Sequence, residues 1–302
     1  MAPRPKHQHD HIIVTGADAN YYGLVRDLLN SLADCGIRSP LAVLDVGFEK
    51  AQRASLERDG VHVVEPKWDI DFPERANFPG HFRALTARPF LPRYFPGYKT
   101  YMWIDSDTWV QDKAAVELYL ATAREGKLAI TPHIGRSYVS FKKWQRPRFN
   151  TLMFREYRKG WGWRTANQLG RFPIANAGIF ALASDAPHWE LWKAAMTHGL
   201  QTKPTILREQ TALNYVIHHD KAPVGLLPDW CNWICIDAPP KLDEKTGMLV
   251  EPEPPYRPLG ILHLVGPARS HEFSLETLDG KRVKAFLHYR HWRGKRRQKR
   301  RG

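Results

Sequence analysis

The sequence predicts an α/β domain built on a mainly parallel sheet with helices on both faces. Three observations lead there. Short apolar runs alternate with segments of helical periodicity. The chain, 302 residues long and 43% hydrophobic, can bury a substantial core. The apolar run Thr100 to Ile104 ends in two carboxylates, Asp105 and Asp107, where ligands of such sheets usually bind.

The elements follow in order. His11 to Thr15 reads as a buried strand, and Tyr22, Val25, Leu28, Leu29 and Leu32 recur at helical spacing up to a stop at Gly36. Leu41 to Val46, the polar helix Glu49 to Asp59 and Val61 to Val64 repeat the alternation. A helical stretch from His81 to Arg88 precedes the Asp-x-Asp strand; a helix over Asp112 to Glu125 and a strand over Leu128 to Thr131 follow it. From Arg136 to Phe172 the rhythm fails, with 10 Lys/Arg, nine aromatic residues and one acid, Glu156. Strand character returns at Pro173 to Leu182, then a helix carries Trp189 and Trp192. Six prolines between Pro239 and Pro258 mark a surface excursion with a turn at Thr246-Gly247, which leads into the strand Leu259 to Val265. The expected organisation is one domain over 11–272, with an insertion at 136–172, and a basic aromatic tail over 273–302.

Composition narrows the class. No run approaches the ~18 apolar residues of a membrane span, and Met1 to Asp10 lacks the apolar stretch of a secretory signal, so a cytoplasmic chain is expected. Cys35, Cys231 and Cys235 leave one thiol unpaired in any scheme, which fits a reducing compartment. Cys231 and Cys235 lack the second ligand pair of a zinc site and read as small buried hydrophobes. The formal charge of +14 suggests nucleic acid until it is mapped. Lys281 to Gly302 holds 11 of the 45 Lys/Arg and no acid, leaving 34 cations against 31 acids elsewhere. Val283, Phe286, Leu287 and Trp292 stand among those cations, a pattern that suits peripheral binding to an anionic membrane; a disordered solubilising end is the plainer alternative.

Chemistry concentrates at Asp105-Ser106-Asp107. On an extended strand the two acids would face one space and Ser106 the other, an arrangement for a divalent cation. Alone, the motif is also compatible with a solvated turn. Three further motifs join it: Val14 to Tyr21 at the end of the first strand; Asn176-Ala177-Gly178 followed by Glu209-Gln210 and Asn214; and His263 to Arg269. Leu85 to Arg88 leads into the acid pair.

In order and strand context these motifs resemble the family 8 retaining glycosyltransferases, with the Rossmann-like GT-A fold and nucleotide-sugar donors. The resemblance spans about residues 11 to 270. It implies that His263 completes a metal site with Asp105 and Asp107, and a set of two carboxylates, one imidazole and phosphate oxygens suits Mn²⁺ better than Mg²⁺. It places Gly16, Ala17 and Asp18 at the uracil, Asn20 and Tyr21 at the ribose, and Arg88, Gly266 and Arg269 at the diphosphate. Asp105, Ser106, Ala177 and Gly178 complete the donor site. Arg269 stands where the family usually has Lys, which changes a point cation into a planar fork. Asn176, Glu209 and Gln210 match positions at the donor sugar; Glu209 replaces the usual Asp, so the sugar stays open.

The implied reaction is transfer of a hexose from a UDP-sugar, with retention, to a glycan, a glycolipid or another acidic acceptor, with Gln210 steadying the oxocarbenium charge. Trp144, Trp161 and Trp163 of the insertion could stack on acceptor sugars or simply pack on the sheet. Two other classes compete. A sugar-nucleotide nucleotidyltransferase needs a Gly-rich, cationic loop after the first strand, which Gly16 to Tyr21 is not. A basic nucleic-acid-binding protein explains the tail but none of the four motifs.

Overall fold

The computed structural model describes residues 9–138 and 148–293. Its main sheet has seven strands in the order β3-β2-β1-β4-β7-β6-β8. These are β1 (His9–Ala17), β2 (Leu41–Asp45), β3 (His62–Val64), β4 (Tyr98–Ile104), β6 (Leu128–Pro132), β7 (Ala175–Ala183) and β8 (Val224–Leu226). Only β7 runs against its neighbours, β4 and β6. The mainly parallel sheet expected from the sequence is therefore present. The chain runs outward through β1, β2 and β3, then returns to place β4 on the other side of β1. That reversal opens a crevice at the carboxyl ends of β1 and β4.

Both faces of the sheet are buried, which is why its strands read as continuous apolar runs. Along β4, Tyr101 and Trp103 enter one core with Phe82, Phe180, Trp192 and Leu213. Met102 and Ile104 enter the other with Leu28, Leu32, Tyr119 and Ile179. The helices are α1 (Tyr22–Asp34), α2 (Lys50–Arg58), α3 (Phe82–Ala87), α4 (Leu91–Tyr94) and α5 (Lys113–Arg124), then α6 (Arg148–Leu169), α7 (His188–Thr202) and α8 (Arg208–His218). Local chemistry sets their ends. Glu49 and Gln52 form a capping box on α2, and the Asp112 carboxylate accepts from the Ala114 N–H at the start of α5. Just past α1, Gly36 takes φ +76°, a conformation that favours glycine.

The strand expected over Leu259 to Val265 belongs to a second sheet, whose other strands were not legible in the sequence. β5 (Thr108–Val110) pairs antiparallel with β12 (Ile261–His263), which pairs in parallel with β9 (Trp233–Ile234). β10 (Lys241–Asp243) and β11 (Met248–Val250) form a hairpin within the Pro-rich excursion, turning at Gly247, φ +70°. β13 (Glu272–Glu276) and β14 (Arg282–Phe286) form another.

The segment expected to start a tail is folded through residue 293. Leu287, Tyr289 and Trp292 are buried with Trp109, Trp233, Leu262 and Leu264 in a third core. The Trp109 indole N–H donates to the Leu287 carbonyl at 2.7 Å. Arg290 pairs with Asp27 at 2.9 Å and Arg293 with Asp34 at 2.8 Å, both acids on α1. Leu287 and Trp292 are therefore committed to the core, while Phe286 stays 37% exposed. In the insertion, α6 is kinked at Gly162, and Trp161 stacks on Tyr215 with centroids 5.0 Å apart while Arg208 sits 5.1 Å from its ring. Trp161 is thus a packing residue and Trp163 is exposed; Trp144 lies outside the described residues.

Candidate metal centre and active-site cleft

The two acids meet through a turn rather than along a strand. β4 ends at Ile104, and the Asp105 carbonyl accepts from both the Thr108 N–H (3.2 Å) and the Thr108 hydroxyl (2.7 Å). The extended geometry expected from the sequence gives way because the chain must turn here to carry β5 into the second sheet. The β5–β12 pairing sets Thr108 opposite His263 and so brings the imidazole to the acids. One ligand atom each from Asp105, Asp107 and His263 lies within 4.8 Å of the others. His263 Nε2 is 3.3 Å from Asp107 Oδ1 and 3.9 Å from Asp105 Oδ2.

A chain of hydrogen bonds defines the imidazole's protonation. The side-chain oxygen of Asn176 accepts from the Gly178 N–H at 2.9 Å. The Asn232 group facing that oxygen at 3.2 Å must be its NH₂, which leaves the Asn232 oxygen facing His263 Nδ1 at 2.9 Å. Nδ1 therefore carries a hydrogen, and Nε2 points at two carboxylates. Such a nitrogen needs either a second proton or a cation between it and the oxygens. The donor set fits a divalent ion with imidazole and carboxylate preferences, and Asn232 is the outer-shell orienter such a histidine requires. Electrostatics agree. Burial raises the Asp105 pKa despite Arg88; burial would raise Asp107 too, but His263 and Arg269 outweigh it and the group is lowered. Burial disfavours charge on His263, yet Asp107 and Asp105 raise its pKa.

Gly178 makes room for this cluster. A Cβ there would lie 2.6 Å from His263 Cε1 and 2.7 Å from Asp105 Oδ2. Gly16 has a comparable role on β1: its Cβ would come within 3.0 Å of the Trp103 ring, so the absence of a side chain admits that indole.

The cluster opens into a cleft of about 860 Å³, lined among others by Arg88, Asn176, Glu209, Gln210, Gly266 and Arg269. Arg88 is buried and committed to its own protein: it bonds Asp105 at 2.5 Å and the Ala177 carbonyl at 3.0 Å, and lies 3.2 Å from Glu209. Its planar face covers Trp103 at 4.4 Å. Arg269 also lines the cleft, 3.2 Å from Asp107 and 5.0 Å from the Tyr21 ring, and stands beside the acid cluster. Glu209, buried beside Arg88, has a pKa pushed up to about 7, first by burial and then by Asp105, against the pull of Arg88. Gln210 accepts from the Ala177 N–H at 3.2 Å, so Ala177 acts through its backbone.

The first-strand motif stands at the β1 end of the crevice but not among the cleft lining. Asp18 caps a short turn, its carboxylate accepting from the Asn20 and Tyr21 N–H groups. Ala17 packs with Val25 and Val43, Ser106 is buried away from the cleft, and Asn20 is exposed. Asn232 was missed, since an isolated asparagine before Trp233 carries no signal of its own. Cys231 and Cys235 are buried as expected, with thiols raised by burial, Cys235 to about 12.

An α/β sheet of this strand order, with an acid and imidazole cluster at the switch point, has the GT-A fold. No protein-family profile matches the chain, and the search of curated proteins finds no match. Among solved structures it is similar to the galactosyltransferase LgtC in complex with donor and acceptor sugar analogues, at 16% identity and TM-score 0.56, covering 85% of this chain and 88% of that one. An active-site mutant of LgtC matches at 14% identity and TM-score 0.53 over the same shares. The bifunctional glycosyltransferase WbbM matches at 18% identity and TM-score 0.55, over 88% of this chain; this chain spans 47% of WbbM. At these identities the likeness establishes the fold.

Proposed function

We propose that this chain is a metal-dependent retaining glycosyltransferase of the family 8 type, moving a hexose from a UDP-sugar to a glycan or glycolipid acceptor. The observation that carries the proposal is the convergence of Asp105, Asp107 and His263, from separate sheets, on one cleft of a GT-A fold. Mn²⁺ is the ion the donor set fits best, and when bound it supplies charge neutralisation at the departing diphosphate. Arg269 contributes positive charge from the same side. Gly266, at φ +58° with open space where a Cβ would stand, lets the backbone come close to a phosphate. Gln210 holds β7 through Ala177, and the remaining lone pair of its side-chain oxygen faces developing positive charge on the sugar. Arg88 acts by fixing Asp105 and Glu209 rather than by touching the donor.

The nucleotidyltransferase alternative is disfavoured because residues 16–21 form a strand end and a capped turn, not a cationic phosphate loop. Among the described residues no helix is long and apolar enough to cross a membrane. Binding of the basic C-terminal segment to an anionic surface would rest on its cations, and co-sedimentation with anionic vesicles at physiological salt tests it. The central test is a panel of UDP-sugars with and without Mn²⁺. Asp105→Asn and Asp107→Asn should each abolish Mn²⁺-dependent donor cleavage in a folded protein, whereas unchanged turnover in both would remove the metal from the reaction.

A further inference from the structure

The cleft has a second pole that the donor motifs do not use. His133, just after β6, places Nε2 2.5 Å from Asp237 Oδ2. The His133 backbone N–H donates to the Ile174 carbonyl at 2.7 Å, which fixes the main chain, and the ring meets Tyr138 edge-on at 5.4 Å. Asp237 sits on the turn after β9, where its own N–H donates to the Ile234 carbonyl. In the same turn the Cys235 N–H donates to the His263 carbonyl at 3.1 Å, which ties the pair directly to the strand bearing the metal-site imidazole. The Asp237 side chain remains 29% exposed, so one side of the carboxylate opens into the cleft.

Around this pair stand three isoleucines from separate segments. Ile134, Ile206 and Ile236 line the cleft and are 41%, 51% and 37% exposed. Apolar side chains left open in a concave site mark where an apolar ligand surface is buried. They offer no hydrogen bonds to the hydroxyls of a free oligosaccharide, whereas an ionised carboxylate accepts strongly from a sugar hydroxyl.

We propose that this pole receives the acceptor. Asp237 accepts a hydrogen bond from an acceptor-sugar hydroxyl, His133 is the positioning residue that orients it, and the isoleucines hold an apolar aglycone. The acceptor class is then a glycolipid rather than a free glycan. This rests on the glycosyltransferase reading, and the test separates the two.

The probes are methyl and octyl glycosides of glucose, galactose and N-acetylglucosamine, the octyl forms below their micelle concentration, with the matching UDP-sugars and Mn²⁺. Wild-type protein should show an acceptor KM about tenfold lower for an octyl than for the matching methyl glycoside. Ile206→Ser with Ile236→Ser should erase that ratio while leaving slow hydrolysis of the UDP-sugar unchanged; Ile206→Ser alone serves if the pair does not fold. Asp237→Asn should raise the acceptor KM about tenfold for both glycosides without moving the donor KM. His133→Asn should do so partway, a split that a general loss of stability would not produce. Equal use of octyl and methyl glycosides by the wild type, or wild-type transfer by Asp237→Asn, overturns the proposal. Should no UDP-sugar be consumed, the glycosyltransferase reading fails. Calorimetry then decides the pole: octyl-glycoside binding lost on the isoleucine changes sustains it, and absence of binding overturns it.

Discussion

Replacing Gly178 with alanine adds one methyl group at the centre of the proposed metal site. The new Cβ would stand 2.6 Å from His263 Cε1, 2.7 Å from Asp105 Oδ2 and 2.8 Å from Asn176 Oδ1, while ordinary contact begins near 3.4 Å. The imidazole or the strand must therefore yield by about 0.8 Å, against a tolerance of about 0.2 Å for a metal ligand. Gly178 lies within β7, and its φ is not positive, so the strand itself accepts alanine. The expected cost to stability is that of overpacking, about 1–3 kcal/mol, or a fall in Tm of roughly 2–4 °C for each kcal/mol. The expected cost to Mn²⁺ affinity is larger in effect, about 10–100-fold, because the ligand and its orienting shell are displaced together. Titrating free Mn²⁺ by electron paramagnetic resonance gives the affinity, and calorimetric melting of the metal-free protein gives the stability. A folded Gly178→Ala protein that binds Mn²⁺ as tightly as the wild type would show that these three side chains do not hold the ion.

Three further outcomes follow from other contacts. Asn232→Ala leaves His263 Nδ1 without its partner, so Mn²⁺ affinity should fall about 10–100-fold in the same titration, and the metal-free protein should lose about 1–3 kcal/mol of stability for the buried group left unpaired. Glu209 has a folded pKa of about 7 against an ordinary 4.5, so its protonated form is favoured by folding. Its contribution is full below the unfolded pKa and is lost as pH rises through about 7; metal-free melting followed from pH 4.5 to 7.5 should show that decline in the wild type and a flatter profile in Glu209→Gln. Trp292→Ala should destabilise the protein by about 3–5 kcal/mol in chemical denaturation, whereas a tail detached from the core would leave stability unchanged.

The main sheet was largely legible. Alternation along β4 and the helical spacing of Val25, Leu28 and Leu32 are short-range signals, because period 2 or 3.6 is imposed within a few residues. Of the second sheet only β12 was legible, inside the apolar run Leu259 to Val265; β5 and β9 are three and two residues long and give no periodic pattern, and the pairing of the three is non-local. The C-terminal segment shows the same limit. Aromatics among cations look alike whether they meet a membrane or the protein's own core, and here the acids Asp27 and Asp34 on α1 and the pocket beside Trp109 take Leu287, Tyr289 and Trp292 into the core.

Of the site, the acids declared themselves as a pair, while His263 entered the set by resemblance, for nothing near it in the chain marks it as a ligand. What the amino-acid order determines by itself is the kind of sheet, which strands are buried and where two carboxylates stand together, since each depends on neighbours along the chain. What only the tertiary structure decides is the company those groups keep: His263 across from Thr108, Asn232 behind the imidazole, Arg88 committed to Asp105, and Arg269 left to face the cleft. Apolar periodicity specifies that a surface is buried but not what it is buried against, and it is that packing between distant segments that turns two acids into a site.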